Sequence, residues 1–509
     1  MPLPNEKPID ATSPNNNIDI ETNPSENRDN NTQDSPKNND EDVPFRPWSQ
    51  LPIYFALGLG VFILGLDNTI VGTATPILTN KFHAVNDIEW YGSAYRLTTC
   101  NTQFLFGKVY TQFRVKWVLV FAVIILEIGS VVSAAATSSA VFIVGRAIAG
   151  CGAAGILNGV LIFYINLPIG GSTLLVVTSL FKNPATHKIT PQPALQNLKQ
   201  LKIPSLAIFT GFIVCLLLAL QWGGTTYPWS SARVILCLVL SGVFIAIFLE
   251  YETLRKDTAT IPHSVVLKRT ARLCLLYAFA CSVAFNVLDY FLPLWFQSIK
   301  GSSAASSGLS LLPSIIPLSV TAISSGFILS IVGYYTPLML LGSAVTAIGF
   351  AFLTTFTSET GKEAWIGWQV LLATGLGLSF SMPWTVIQLA LDRNDVAMGM
   401  AGVGFSIAFG GAVSVSVAQN IFTNLLRNGL EGIQDVDIDV DGIIEQGATG
   451  FLDGVSSGSR DVVLDVFNGA VTRCFWMGVV AAIVGFCAAV GMDRKSVKKE
   501  GGKKEETEE

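Results

Sequence analysis

The chain has 509 residues, of which 50% are hydrophobic and 14% are charged, and its formal net charge at pH 7 is −5. A soluble chain carries about 25% charged residues, so this composition excludes an ordinary set of soluble domains. The small net charge also gives no reason to expect a nucleic acid as a partner. The apolar residues instead occur in runs of about 20, long enough to cross a ~30 Å hydrocarbon core as helices.

In chain order, the first 47 residues are rich in Asn, Asp, Glu, Pro and Ser, and this composition predicts a disordered tail. Thirteen apolar runs follow and are predicted to span the membrane. They are 52–78, 89–108, 117–136, 139–160, 162–181, 204–222, 233–250, 272–299, 308–332, 335–356, 364–387, 398–422 and 473–492. The predicted fold class is therefore an all-α polytopic membrane protein with about 13 transmembrane helices.

Four polar segments between or after these runs are basic: 108–116, 182–202, 255–272 and 494–504. The positive-inside rule predicts that all four are cytoplasmic. An even number of crossings must then separate the first two segments, yet three apolar runs lie between them. The sequence therefore contains a conflict near residue 160.

Familiar enzyme and metal motifs are absent or incomplete. Residues 360–362 lack the first glycine and the Ser or Thr of a phosphate-binding loop. The G-x-S-x-G pattern at 454–458 has no strand before it. The acidic run at 437–442 begins like a calcium loop but has Ala448 where a bidentate Glu is needed. The eight cysteines form no CxxC pair and the three histidines are far apart, so we expect no enzyme, no metal site and no cofactor.

Five ionisable residues fall inside predicted spans: Asp67, Arg96, Glu127, Arg146 and Asp289. A charge at membrane depth costs several kcal/mol and normally faces a cavity or a partner. The alternative for each is a position near a helix end, from which the side chain reaches the headgroups. Asp67 and Glu127 lie deepest in their runs, which favours function. A carboxylate that exchanges a proton, with an arginine that competes for it, suits proton-coupled transport.

Several motifs resemble one family of transporters. They are 66–71 with 75–76, 90–95, 107–116, Arg146 with Gly150, Gly152 and Ala153, 292–297 with 300–301, and 410–420. Over residues 50–492 the chain resembles the major facilitator superfamily, specifically its fourteen-span drug:proton antiporter branch, and is similar to fungal efflux pumps for toxins and secondary metabolites. The resemblance implies two helical bundles that alternate access to a midplane site.

The resemblance divides the chain into five parts. They are a cytoplasmic tail at 1–47, an N-terminal bundle at 48–181, a cytoplasmic linker with two extra spans at 182–250, a C-terminal bundle at 251–492 with an extracellular loop at 425–472, and a charged cytoplasmic tail at 493–509.

The chain departs from the family pattern at three places. Arg96 stands where an apolar residue is usual, and the basic loop after the second span lacks its usual Asp. A fourth-span motif at 155–160 is followed almost directly by the start of a sixth span at 163–170. The fifth span is missing, and with it the Gly-Pro motif of antiporters. The crossing conflict points to the same place.

These observations predict a proton-coupled efflux pump for a small amphipathic organic compound such as a toxin, drug or secondary metabolite. The resemblance assigns proton coupling to Asp67 and Arg146, with Glu127 as a weaker candidate. Gln369 is predicted to hydrogen-bond the substrate, and the apolar walls are predicted at Phe291, Trp295, Phe296 and Trp384. The expected energy source is the proton gradient, and the expected form is a monomer in the plasma membrane, with a vacuolar or vesicle membrane as the alternative.

Two other functions stay open. The chain is alternatively an uptake permease of the same superfamily, or a truncated membrane protein that regulates rather than transports because a helix is missing.

Overall fold

The computed structural model describes residues 82, 88–113, 115–164, 203–224, 227–254, 265, 267–392, 395–431 and 460–494. These residues form thirteen named α-helices and no named strand. The helices are α1 (Ile88–Gln112), α2 (Val115–Ala134), α3 (Ser139–Tyr164), α4 (Ile203–Trp222), α5 (Ala232–Leu254), α6 (Arg269–Ser298), α7 (Ala304–Ser310), α8 (Leu312–Val332), α9 (Tyr335–Leu353), α10 (Lys362–Phe380), α11 (Met382–Ala390), α12 (Val396–Glu431) and α13 (Arg460–Val490).

Ten segments in the described part of the chain are long and apolar enough to cross a membrane, with α10 and α11 counted as one segment. Helix α1 also forms where a span is predicted, but its polar side chains keep it outside that set. The all-α membrane fold is therefore confirmed. The predicted run 52–78 and most of the run 162–181 lie outside the described residues.

Helix boundaries differ from the apolar runs mainly beside the predicted loop 425–472. Helix α12 continues to Glu431, and α13 begins at Arg460. Both helices therefore extend into that loop, because they continue with polar turns beyond their apolar parts.

The helices pack in three groups within one compact unit, 46–509. Helices α1, α2 and α3 pack together as the first group, and α6 with α8–α13 forms the second. Helices α4 and α5 pack on each other as a pair, and α4 also contacts α1 and α12. The two large groups meet where α1 packs against α12.

Contacts join the described helix ends that flank the basic segments. Lys268, just before α6, forms a 3.0 Å ion pair with Asp392, just after α11. Thr270 donates to the Asp493 carboxylate at 2.5 Å, so the end of α13 is there too. At the start of α4 and the end of α5, Ser205 donates to Glu252 at 2.6 Å.

The end of α1 reaches the same place, because Gly107 packs against Ala401 near the start of α12. The helix ends that flank all four basic segments therefore lie together, as the positive-inside rule predicts. We call this end the basic end.

Candidate functional site

Arg146 is the predicted site residue whose environment is best defined. It lies on α3, is only 3% exposed, and its Nε donates to the Tyr91 carbonyl oxygen of α1 at 3.2 Å. Its guanidinium also lies 4.4 Å from the ring centre of Tyr95, again on α1. A side chain that reaches the headgroups from a helix end would be exposed, so the burial of Arg146 argues against that alternative.

Local sequence explains why α1 and α3 come this close. Gly150 is one turn beyond Arg146, and a Cβ there would lie 2.3 Å from the Tyr95 carbonyl oxygen. Thr99 of α1 donates to the Gly150 carbonyl oxygen at 2.9 Å. A larger residue at 150 would push α1 away and open the Arg146 contacts.

The structure places only one of the other two predicted proton-coupling residues. Asp67 lies outside the described residues. Glu127 lies on the exposed face of α2, away from the α1–α3 contact. A role for either residue in proton coupling stays a prediction.

Gln369 is fully buried in α10, and neither its amide oxygen nor its amide nitrogen has a hydrogen-bond partner among the described residues. Gln103 on α1 shares this property. It points at Gly404 of α12, where a Cβ would lie 2.1 Å from its Nε2. A buried amide without partners costs about 1–3 kcal/mol, so both residues are candidates for ligand contact when the helices separate.

The predicted apolar walls lie in packed cores in this conformation. Phe291 and Trp295 are fully buried and Phe296 is 2% exposed. Trp295 also donates to Asn468 Oδ1 at 2.8 Å, which fixes its indole to α13. Trp384 packs at the edge of a second core cluster. Their role as substrate walls stays a prediction.

The structure also brings together a set of residues on α1 and α6. Arg96 Nη1 donates to Asn286 Oδ1 at 2.9 Å, and Asp289 lies one turn beyond Asn286. Asn286 was missed by sequence reasoning because a lone Asn in an apolar run carries no charge signal. Its spacing of three residues from Asp289, on one helix face, was the available clue.

Helix α4 touches both large groups at the end opposite the basic end. Gln221 donates to Ser93 of α1 at 3.2 Å, and Asn420 of α12 donates to the Leu220 carbonyl oxygen at 3.0 Å. A pocket of about 450 Å³ lies beside this contact and is lined mainly by apolar side chains. The pair of extra spans thus flanks the boundary between the two groups.

Two helical groups in contact, with an arginine buried inside one group and two further charged residues at their boundary, are compatible with a membrane transporter. The family model described as "Major Facilitator Superfamily" matches residues 57–165. The chain is 38% identical over 491 residues to the MFS-type efflux pump MFS1 of Arthroderma benhamiae, a match that covers 88% of this chain and 91% of that protein. It is 36% identical over 491 residues to the efflux pump aflT of Aspergillus parasiticus, covering 88% and 96%.

Similarity of this extent places the chain in a family: it belongs to the major facilitator superfamily. The likeness to a solved structure concerns the fold alone. A double-tryptophan variant of XylE superposes with a TM-score of 0.50 at 14% identity, over 89% of this chain and 97% of that one. The chain is therefore a multi-pass membrane transporter and not an enzyme.

Proposed function

We propose that the chain is a proton-coupled efflux pump that exports small amphipathic organic compounds. Relatives named as efflux pumps match it over most of its length, and one relative, 36% identical, is named "Aspyridones efflux protein". The observation that carries the proton part of the proposal is Arg146, a buried guanidinium held against α1.

The proposed mechanism is alternating access between the two large helical groups. Their boundary runs along α1 and α12, where small residues such as Gly404 keep the contact close. In the proposal Asp67 binds the proton and Arg146 biases its release. Substrate enters from the membrane or cytoplasm when the groups separate at the basic end. The proposed location of the pump is the plasma membrane, and the proposed oligomeric state is a monomer.

The direction of flux tests this proposal. Inside-out plasma-membrane vesicles that contain the protein should accumulate an amphipathic fluorescent compound when the lumen is acidified. Vesicles from cells without the gene are the control. Accumulation by right-side-out vesicles only would instead identify an uptake permease.

One observation favours a second candidate function. The end of α3 and the start of α4 both lie at the basic end, because Tyr110 near the end of α1 donates to the Gly155 carbonyl oxygen of α3 at 2.8 Å and Ser205 pairs with Glu252. The segment between them holds one apolar run. A chain in this form is a candidate for a membrane protein that regulates without transporting. Flux in neither direction, from protein that is folded and inserted, would support it.

A further inference from the structure

The contact between Arg96 and Asn286 joins the first helical group to the second. Arg96 Nη1 on α1 donates to Asn286 Oδ1 on α6 at 2.9 Å. Asn286 Nδ2 is itself fixed, since it donates to the Ser282 carbonyl oxygen at 2.8 Å and to Ser282 Oγ at 3.2 Å. Gly411 of α12 leaves room for this amide, because a Cβ there would lie 3.0 Å from Asn286 Nδ2. The acceptor that holds Arg96 is therefore rigidly placed.

The guanidinium of Arg96 is far from satisfied by this contact. It carries five N–H donors, and its bond to Asn286 is the one hydrogen bond that it makes within the described residues. Arg96 and Asn286 are both half-buried, so part of the guanidinium stays accessible beside its bond to Asn286. A planar guanidinium fork with free donors matches a carboxylate or a similar planar anion.

Two aromatic pairs involve side chains of α6 that lie within two turns of Asn286. Phe279 pairs with Phe409 of α12 at 5.8 Å between ring centres, and Phe285 pairs with Phe380 of α10 at 5.7 Å. All four rings are half-buried, in contrast to the fully covered Phe291 and Trp295. Accessible rings beside a guanidinium suit a molecule with an apolar, aromatic framework and one acidic group.

Asp289 lowers the affinity of this site for an anion. It lies one turn from Asn286 on α6, is exposed, and is close enough to Arg96 to interact with it electrostatically, although the two form no ion pair within 4.0 Å. A bound anion and the Asp289 carboxylate would compete for Arg96. Asp289 is therefore a restraint on anion affinity, not a second anchor.

We infer that Arg96 is the anion-binding residue of the substrate site, and that the exported compounds carry a carboxylate or a comparably acidic group on an aromatic framework. This inference rests on the proposed function, since it names the substrate class of the same transporter. It also gives a reason for a charged residue at this depth, where an unused charge would cost several kcal/mol.

Equilibrium binding tests the inference without requiring transport. The probe is 1-pyrenebutyrate, compared with its neutral methyl ester, on the purified full chain in phosphatidylcholine nanodiscs, with protein-free discs subtracted. We expect the acid to bind about tenfold or more tightly than the ester, as for a charge-assisted hydrogen bond. Arg96→Gln should remove that preference and change the affinity for the ester by less than about twofold. Retained binding of the ester also reports that the variant is folded.

Two further variants sharpen the test. Arg272→Gln removes an exposed arginine near the start of α6 and should leave both affinities unchanged. Asp289→Asn should strengthen binding of the acid alone, because it removes the competing carboxylate. Equal affinity for acid and ester, no binding of the acid, or weaker acid binding by Asp289→Asn would each overturn the inference.

Anionic lipid is the alternative source of the acidic group. Nanodiscs that contain about one-fifth phosphatidylglycerol, an anion that Arg96 can also bind, should lower the affinity for the acid by less than about twofold. Loss of acid binding in those discs would instead make the headgroup the occupant and overturn the substrate assignment. The proposed function fails separately, if vesicles show no proton-dependent export while acid binding persists.

Discussion

Arg146 is fixed to α1 by two different features of its guanidinium. Its Nε donates to the Tyr91 carbonyl oxygen, and its guanidinium carbon lies 4.4 Å from the centre of the Tyr95 ring. A lysine at this position has one compact ammonium group and no planar fork. It cannot reproduce both contacts at once.

Arg146→Lys should therefore slow proton-driven efflux by about tenfold, the effect of losing one hydrogen bond to a charged group. The measurement is the initial rate of efflux at several imposed pH gradients, with membrane abundance determined in parallel. Arg494→Lys, at an exposed position after α13, is the matched control. A variant with the wild-type rate and the wild-type dependence on the gradient would make Arg146 purely structural.

Asp67→Asn should abolish efflux driven by a pH gradient while the protein stays in the membrane. Asparagine keeps the shape of the side chain but cannot bind and release a proton at this pH. Asp461→Asn, at an exposed position in the first turn of α13, should leave efflux intact. Undiminished gradient-dependent efflux by Asp67→Asn would remove Asp67 from the mechanism.

At the residue scale, the sequence predicts which spans hold charged side chains better than it predicts which helix face a side chain occupies. Composition shows that Arg146 stands inside an apolar run, and the structure buries it. Periodicity does not tell a face that lines a gap from a face that packs in a core, because both are apolar in a membrane protein. For this reason Phe291 and Trp295 were predicted as walls, whereas this conformation covers them fully and exposes Phe279 and Phe285 in part.

At the scale of helices, small residues control how closely α2 and α3 pack. A Cβ at Gly129 would lie 2.3 Å from the Ala149 backbone nitrogen, and one at Gly145 would lie 2.4 Å from Ser133 Oγ. A Cβ at Gly152 would lie 2.4 Å from the Leu126 nitrogen. Glycines of the fourth predicted run thus lie at a close helix contact.

Gly152→Ala should lower the free energy of unfolding by ~1–3 kcal/mol, because backbone atoms must move to admit the methyl group. Gly242→Ala in α5 is the control, since nothing lies within 4 Å of a Cβ there. The measurement is the thermal unfolding of the two detergent-purified variants and the wild type. Equal unfolding temperatures for Gly152→Ala and Gly242→Ala would contradict the role given to this contact.

Helix positions were predicted well wherever a run is continuously apolar. The predicted run 204–222 corresponds to α4, and 335–356 corresponds to α9, within a few residues. The break at Ser381 between α10 and α11 was not predicted. A change of backbone conformation inside an apolar run leaves no mark on hydropathy, although Pro383 was a local sign.

For the whole molecule, the crossing conflict seen in the sequence has a structural counterpart. Helix α3 ends and α4 begins at the same basic end, so an even number of crossings must separate them. The apolar residues between 164 and 203 provide one run. If the chain crosses the membrane between the end of α3 and the start of α4, it needs a second span in that segment.

The relatives support the same conclusion by length. The alignment to the Arthroderma benhamiae pump has 491 positions, whereas 88% of 509 residues is about 448, so about 43 positions of the alignment have no residue in this chain. The Aspergillus parasiticus pump has the same excess. One span with its flanking loops has about this length.

We therefore predict a longer transcript that encodes an added span near residues 160–161, and we expect only this longer form to transport. In the 509-residue form the run 162–181 must stay out of the membrane, or one terminus or one basic segment must lie on the wrong side, which the positive-inside rule opposes. Tags in the 182–202 segment and at the C-terminus, probed from each side of intact cells, should show mixed topology or low abundance. A single topology with robust efflux from the 509-residue form would refute this.

The most direct test of proton-coupled export follows the lumen pH of inside-out vesicles that contain the longer form. As the vesicles accumulate a fluorescent amphipathic compound, we expect the pH of the acidified lumen to rise in step with uptake, and Asp67→Asn to abolish both signals. Accumulation that proceeds with no change in lumen pH, or that persists in Asp67→Asn, would contradict proton coupling.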